Sequence, residues 1–193
     1  MVQHLKEEVR ESIIQAATTI FYEHSFSSAT LRMIADQANL PVSNIYSYFE
    51  NKAALFDAVV EPVYACFHEA IASEEALFTE DLSALETFRI TGQDHFLGLL
   101  ENPKGLVILV DKSEGTRHAG AKDALIDSVE LHIRRALTLR KQKKYEDLLP
   151  HILASNFTES LIEIARHYTS RERAGELLEL VTQCYFQGVD SLL

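Results

Sequence analysis

Glycine and proline are scarce in this chain, seven and four among 193 residues, and they fall mostly between stretches whose apolar residues recur at helical spacing. Glycine supplies the positive φ of tight turns, and proline breaks a helix from within. So little of either leaves small scope for a hairpin-rich fold, and the pattern predicts an all-α protein of about nine helices. The first runs from about Leu5 to His24, with Val9, Ile13, Ala17 and Ile20 on one face and Glu7, Glu8, Glu11 and Gln15 on the other. The second starts at Thr30, whose hydroxyl suits an N-cap, and stops near Ala38 and Asn39, since Asn tolerates the left-handed conformation of a helix end. Pro41 then opens a short third helix reaching about Phe49. Asn51 caps a fourth, which Pro62 is expected to kink or divide. Further helices are expected over about Asp81 to Leu100, after Pro103, from Gly120 to about Lys143, from Leu149 to Tyr168 and from Arg171 to Leu192. The β-branched run at 105–110 would suit a strand, but no second strand is available to pair with it, so it is expected to be a buried helix.

Several function classes fall early. No run of 18 or more apolar residues exists to span a bilayer, and Met1 to Arg10 lack the apolar core of a secretory signal. Cys66 and Cys184 sit far apart in apolar helical patterns and are expected to be free thiols in a cytoplasmic protein. The chain has no phosphate-cradling glycine loop, no Gly-x-Ser-x-Gly, no His-Glu-x-x-His and no Glu-x-x-His. Glu163 and His167 are four apart, the spacing of an ordinary surface pair. No enzyme, cofactor or metal site is expected.

Thr30 to Phe49 has the layout of a helix-turn-helix, in which the second helix enters the major groove of DNA. At ~100° per residue, Ile45 and Phe49 share a side, while Ser43, Asn44 and Ser47 lie opposite, flanked by Tyr46 and Tyr48. Short polar side chains let a helix approach base edges, a phenol can reach a phosphate oxygen, and Lys52 at the next helix start suits a phosphate. From about Val9 to Val60 the sequence resembles the DNA-binding domain of TetR/AcrR-type transcriptional regulators. Ile34-Ala35, the block Tyr46-Ser-Tyr-Phe49, and Lys52 followed by Leu55 carry the likeness. The resemblance implies backbone or nearby base contacts at Thr30 and Arg32, base reading by Val42, Ser43, Asn44 and Ser47, and groove or backbone contacts at Tyr46, Tyr48 and Lys52. Asn39 and Ser43 stand where glycine is frequent in that family, and Ser28-Ala29 lacks a glycine often found there.

The domains expected are a helix-turn-helix unit over 1–52 and a larger helical effector-binding and dimerisation unit over 53–193. Tyr64, Phe67, His68, Phe88, His95, Phe96 and Asp111 are pocket candidates, with Glu114 and His118 close behind. An aromatic and histidine lining with carboxylates would suit an amphipathic or cationic small molecule. Phe157, Leu161 and Ile164 on one helix, with Leu177, Val181, Tyr185 and Val189 on the last, are candidates for a homodimer interface. The expected partners are a double-stranded operator, a second copy and a small-molecule effector. The expected function is a ligand-responsive repressor; the competing reading is a helical carrier or adaptor without sequence-specific DNA binding. The net charge of −11 opposes indiscriminate DNA binding, and residues 1–52 hold four cations against six carboxylates.

Overall fold

The structure is a computed structural model, and it describes residues 2–74, 86, 89, 90, 92–139 and 147–192. The described residues form nine helices and no strand: α1 (Val2–Ser28), α2 (Leu31–Gln37), α3 (Val42–Tyr46), α4 (Lys52–Glu74), α5 (Gln93–Glu101), α6 (Pro103–Asp111), α7 (Ala121–Leu139), α8 (Leu148–Arg166) and α9 (Arg171–Leu192). None is long and apolar enough to cross a membrane, among the described residues. Most boundaries match the sequence pattern. The exceptions are α3, which ends at Tyr46 rather than near Phe49, and Pro41, which sits just before α3 instead of inside it. Of the helix expected over Asp81 to Leu100, positions 81–85, 87, 88 and 91 lie outside the described residues, and α5 covers its last part from Gln93. Pro62 does not divide α4, which runs unbroken through it.

Contacts group the residues into two compact units, Met1–Tyr64 with Lys104–Gly120, and Ala65–Pro103 with Ala121–Leu193. In the first, Ile13, Ala17, Ile20 and Phe21 of α1, Ile34 and Ala35 of α2, Ile45 of α3, and Leu55, Phe56, Val59 and Val60 of α4 are all buried. The rings of Phe21 and Phe26 both meet Phe56 edge-on, at 5.0 and 5.2 Å between centroids. Such edge-to-face contacts add to simple area burial. Helix α6 explains the ambiguous apolar run. Every residue from Gly105 to Val110 is buried, so no polar face is needed and the helical period disappears from the sequence.

In the second unit, Phe96 of α5, Phe157 of α8 and Tyr185 of α9 form a chain of edge-on rings, at 5.5 and 5.7 Å. Small residues let the helices close: a Cβ at Gly98 would meet the Cys66 sulfur at 3.0 Å. Ion pairs tie the outside, with Lys122 to Glu159 at 2.8 Å and Arg171 to Glu101 at 3.0 Å. His132 of α7 is buried beside Phe186. Burial, with Arg135 nearby, pushes its pKa down to about 4. The folded state therefore holds it neutral while the unfolded chain protonates below an ordinary pKa of ~6.5. Stability is full above that value and falls as pH drops toward 4, a loss of about 3 kcal/mol. His132→Leu should flatten the pH dependence of the melting temperature between 6.5 and 4, as read by circular dichroism. An unchanged acid slope would place the loss in other groups.

Candidate nucleic-acid interface

The helix-turn-helix is built from local signals. The Thr30 hydroxyl accepts the Met33 N–H at 3.2 Å and starts α2. At the other end Asn39 takes φ 54°, the Leu40 N–H donates to the Ala35 carbonyl at 2.9 Å, and the Asn39 N–H donates to Asp36 at 3.2 Å. This paired closure stops the helix and turns the chain. Pro41 follows with φ −62° and ψ 145°, which aims the chain into α3. Two further bonds, from Tyr48 and Phe49 N–H to the Ile45 carbonyl, extend the turn past α3.

Ile45 and Phe49 are 0% and 6% exposed and anchor α3 from beneath. The opposite side is then fixed outward. Tyr46 is 58% exposed, Ser43 and Ser47 are exposed, and Val42, Asn44 and Tyr48 are half-buried. The Ser47 hydroxyl donates to the Ser43 carbonyl at 3.1 Å, which leaves its oxygen able to accept. Thr30 and Arg32 are exposed on the same two-helix motif, and the Arg32 side chain has no hydrogen bond or ion pair among the described residues.

Lys52 departs from expectation. Its ammonium donates to the Phe26 carbonyl at 2.7 Å and the Ala29 carbonyl at 2.8 Å, and it lies 4.3 Å from the Phe26 ring centroid. In this structure it faces inward and ties the start of α4 to the α1–α2 turn, because those carbonyls have no helical partner and attract a cation. Asn51 caps α4 as expected, its side-chain oxygen accepting the Ala54 N–H at 2.9 Å. Arg10 is also engaged, 5.5 Å from the Phe49 ring centroid and 3.7 Å from Glu7. The turn itself is strained. Ser25 sits at φ 62° and ψ 167°, a region that suits glycine.

The remaining candidates scatter. Phe88 lies outside the described residues. Phe67 and Phe96 are 2% and 3% exposed and serve as core in the second unit, where His68 is exposed and His95 half-buried. Tyr64 and the half-buried Asp111 belong to the first unit, where Tyr64 packs edge-on against His118 at 4.6 Å. The stripe of Phe157, Leu161 and Ile164 is buried within its own protomer, since α8 packs against both α7 and α9. Leu177, Val181 and Tyr185 are half-buried and, with Ile164, line an open groove of about 530 Å³ rimmed by Glu159, Glu163 and His167. Burial pushes the Tyr185 phenol up, against a hydrogen bond with Ser160. The side chain of Val189 lies outside the described residues. Sequence patterns missed the inward turn of Lys52 and the docking of His118. Both depend on backbone groups or residues brought close only by folding.

Residues 13–59 match the profile of a family described as bacterial regulatory proteins, tetR family. Over 78 residues the chain is 38% identical to the transcriptional regulator TtgR of Pseudomonas putida, covering 38% of this chain and 37% of that protein. Over 134 residues it is 26% identical to the transcriptional repressor NicS, also of Pseudomonas putida, covering 69% and 56%. The matched stretches thus span about a third to a half of these relatives. Among solved structures, the TetR family regulator PfmR of Thermus thermophilus superposes over 91% of this chain and 97% of its own, with a TM-score of 0.61 at 14% identity. That likeness shows a shared all-helical fold.

Two stability outcomes follow from the turn. Lys52→Met should lower the unfolding free energy by about 2 kcal/mol, since two carbonyls lose a charged donor. Ser25→Gly should raise it by about 1 kcal/mol, since relief of strain outweighs the added freedom of the unfolded chain. Urea titration of each variant checks both; an effect of the opposite sign would contradict the geometry.

Proposed function

We propose that this chain, a member of the tetR family by its helix-turn-helix head, is a dimeric cytoplasmic DNA-binding transcriptional regulator. Its action is that of a repressor that leaves its operator when a small molecule binds the helical second unit. The observation that carries this is the outward face of α3, where Ser43, Asn44, Tyr46 and Ser47 stand opposite the anchored Ile45 and Phe49. Ser43, Tyr46 and Ser47 of that arc are exposed and Asn44 is half-buried, and its residue types match base edges: an amide can pair with adenine, and hydroxyls can donate or accept. Val42 adds an apolar contact of the kind a thymine methyl takes. Arg32, Thr30 and the two phenols would hold phosphates and fix register. The repressor sense rests on NicS and on SmeT, named as repressor of a Stenotrophomonas maltophilia multidrug efflux pump, which is 24% identical to this chain over 93% of it with a TM-score of 0.55.

A second copy fits the groove between α8 and α9. Its floor is apolar, and its carboxylates are paired within the protomer, Glu159 with Lys122 and Arg166, and Glu163 with Arg166 and His167. Such a surface can meet its own copy without like-charge repulsion. A two-fold pair would set two reading heads about one DNA turn apart, ~34–36 Å or a multiple.

Selection of bound fragments from the source genome tests the reading. A near-palindromic motif is expected, whereas a carrier or adaptor would enrich none. On that fragment Arg32→Ala should reduce the salt slope of binding by about one. Tyr46→Phe should weaken binding with little change in stability. Val181→Glu should yield monomers in sedimentation; a persistent dimer would place the interface elsewhere.

A further inference from the structure

We propose that the segment 112–120 is a latch on the reading head, with the contact of His118 on Asp57 as its releasable catch, a role that rests on the DNA-binding reading above. The segment belongs to the same compact unit as α1–α3 and the first part of α4, and it runs directly into α7. It is prebuilt. The Thr116 hydroxyl donates to the Ser113 carbonyl at 2.7 Å and accepts the His118 N–H at 3.0 Å, and the Ser113 hydroxyl donates to the His118 carbonyl at 3.1 Å. These bonds make a compact knob with the imidazole as its tip.

The knob engages the head at two points. The Lys112 carbonyl accepts the Phe26 N–H at 2.9 Å, in the same turn whose Phe26 and Ala29 carbonyls hold Lys52. His118, with its side chain 1% exposed, lies edge-on to Tyr64 and places Nε2 3.0 Å from an Asp57 oxygen. Asp57 and Tyr64 both lie on α4, the helix that follows the recognition helix. Segment 112–120 therefore touches the head both just before α2 and just after α3.

The catch is built to open. Nε2 faces the Asp57 oxygen at 3.0 Å and lies 3.3 Å from the Arg117 Nε, whose N–H is shared between the two. Nδ1 is buried with no hydrogen-bond partner among the described residues. Leaving the site would return Nδ1 to water, which offsets much of the bond lost to Asp57. Arg117, 64% exposed and on the same segment, also reaches Asp57 at 3.2 Å and is a second, solvent-facing part of the catch. A ligand that prefers one position of the segment would shift the equilibrium between docked and released states. Ser25, held in its strained conformation beside Phe26, is placed to relax when the segment lets go.

The test uses the full chain and two substitutions, His118→Phe, which keeps a ring against Phe56 and Tyr64, and Asp57→Ala. Hydrogen exchange is read without DNA, and operator affinity is read on the fragment selected from the genome. In both variants amides of 25–29 and 52–60 should exchange at least about fivefold faster while the helical signal stays that of the parent. Operator affinity should fall at least about fivefold with an unchanged salt slope, since no phosphate contact is removed. The double variant should be no worse than Asp57→Ala alone, because that substitution already removes the contact of His118 along with that of Arg117. Unchanged exchange overturns the latch. Faster exchange with unchanged affinity overturns its control of DNA binding, as does a reduced salt slope. If the parent selects no fragment, the DNA-binding reading fails and exchange alone decides whether the latch exists. If His118→Phe does not fold, Asp57→Ala carries the same comparisons.

Discussion

The helix-turn-helix head is held together at one joint, where the Lys52 ammonium meets the carbonyls of Phe26 and Ala29. Those carbonyls close the end of α1 and the approach to α2, and Lys52 opens α4 directly after the recognition helix. One cation therefore fixes both flanks of the α2–α3 motif. The Phe26 ring lies under the ammonium and edge-on to Phe56, so the polar joint and the aromatic cluster share a residue. A charged donor on buried carbonyls in partly dry surroundings is stronger than a surface pair, and its loss leaves acceptors that water reaches poorly. The outward pose of Ser43, Asn44, Tyr46 and Ser47 depends on this frame, since α3 is a helix of five residues with little stability of its own.

The joint also changes the electrostatic account of the head. With Lys52 facing inward and Arg10 between Phe49 and Glu7, Arg32 is the cation of the motif left to meet a phosphate. A head with so few free cations would gain little from counterion release, so the proposed DNA binding rests on base-edge, phenol and hydroxyl contacts and on the proposed pairing of two copies. The chain's charge of −11 fits that economy, because most of the carboxylates lie beyond the first 52 residues.

Much of the fold was legible in the residues. Thr30, Asn39, Pro41 and Asn51 punctuate the first four helices through caps and turn preferences that act within a few residues. Ile45 and Phe49 set the inner face of the recognition helix by simple periodicity, which leaves the polar arc outward. The run 105–110 has no strand to pair with and so reads as helix, and its complete burial accounts for the missing period. The interface candidates were less legible. Phe157, Leu161 and Phe96 read as apolar stripes or pocket lining, and the folded chain uses them as its own core. An apolar stripe says that a side chain is covered, not which surface covers it.

The sequence by itself determined most of the helices, their punctuation and the inward and outward sides of α3, because those follow from interactions between residues close in the chain. Tertiary structure alone decided that Lys52 faces two carbonyls, that residues 104–120 join the head's compact unit, and that His118 meets Asp57 from 61 positions away. The first depends on backbone acceptors that exist only once α1 has ended. The others depend on chain closure that brings distant segments together, which no local pattern of residues encodes.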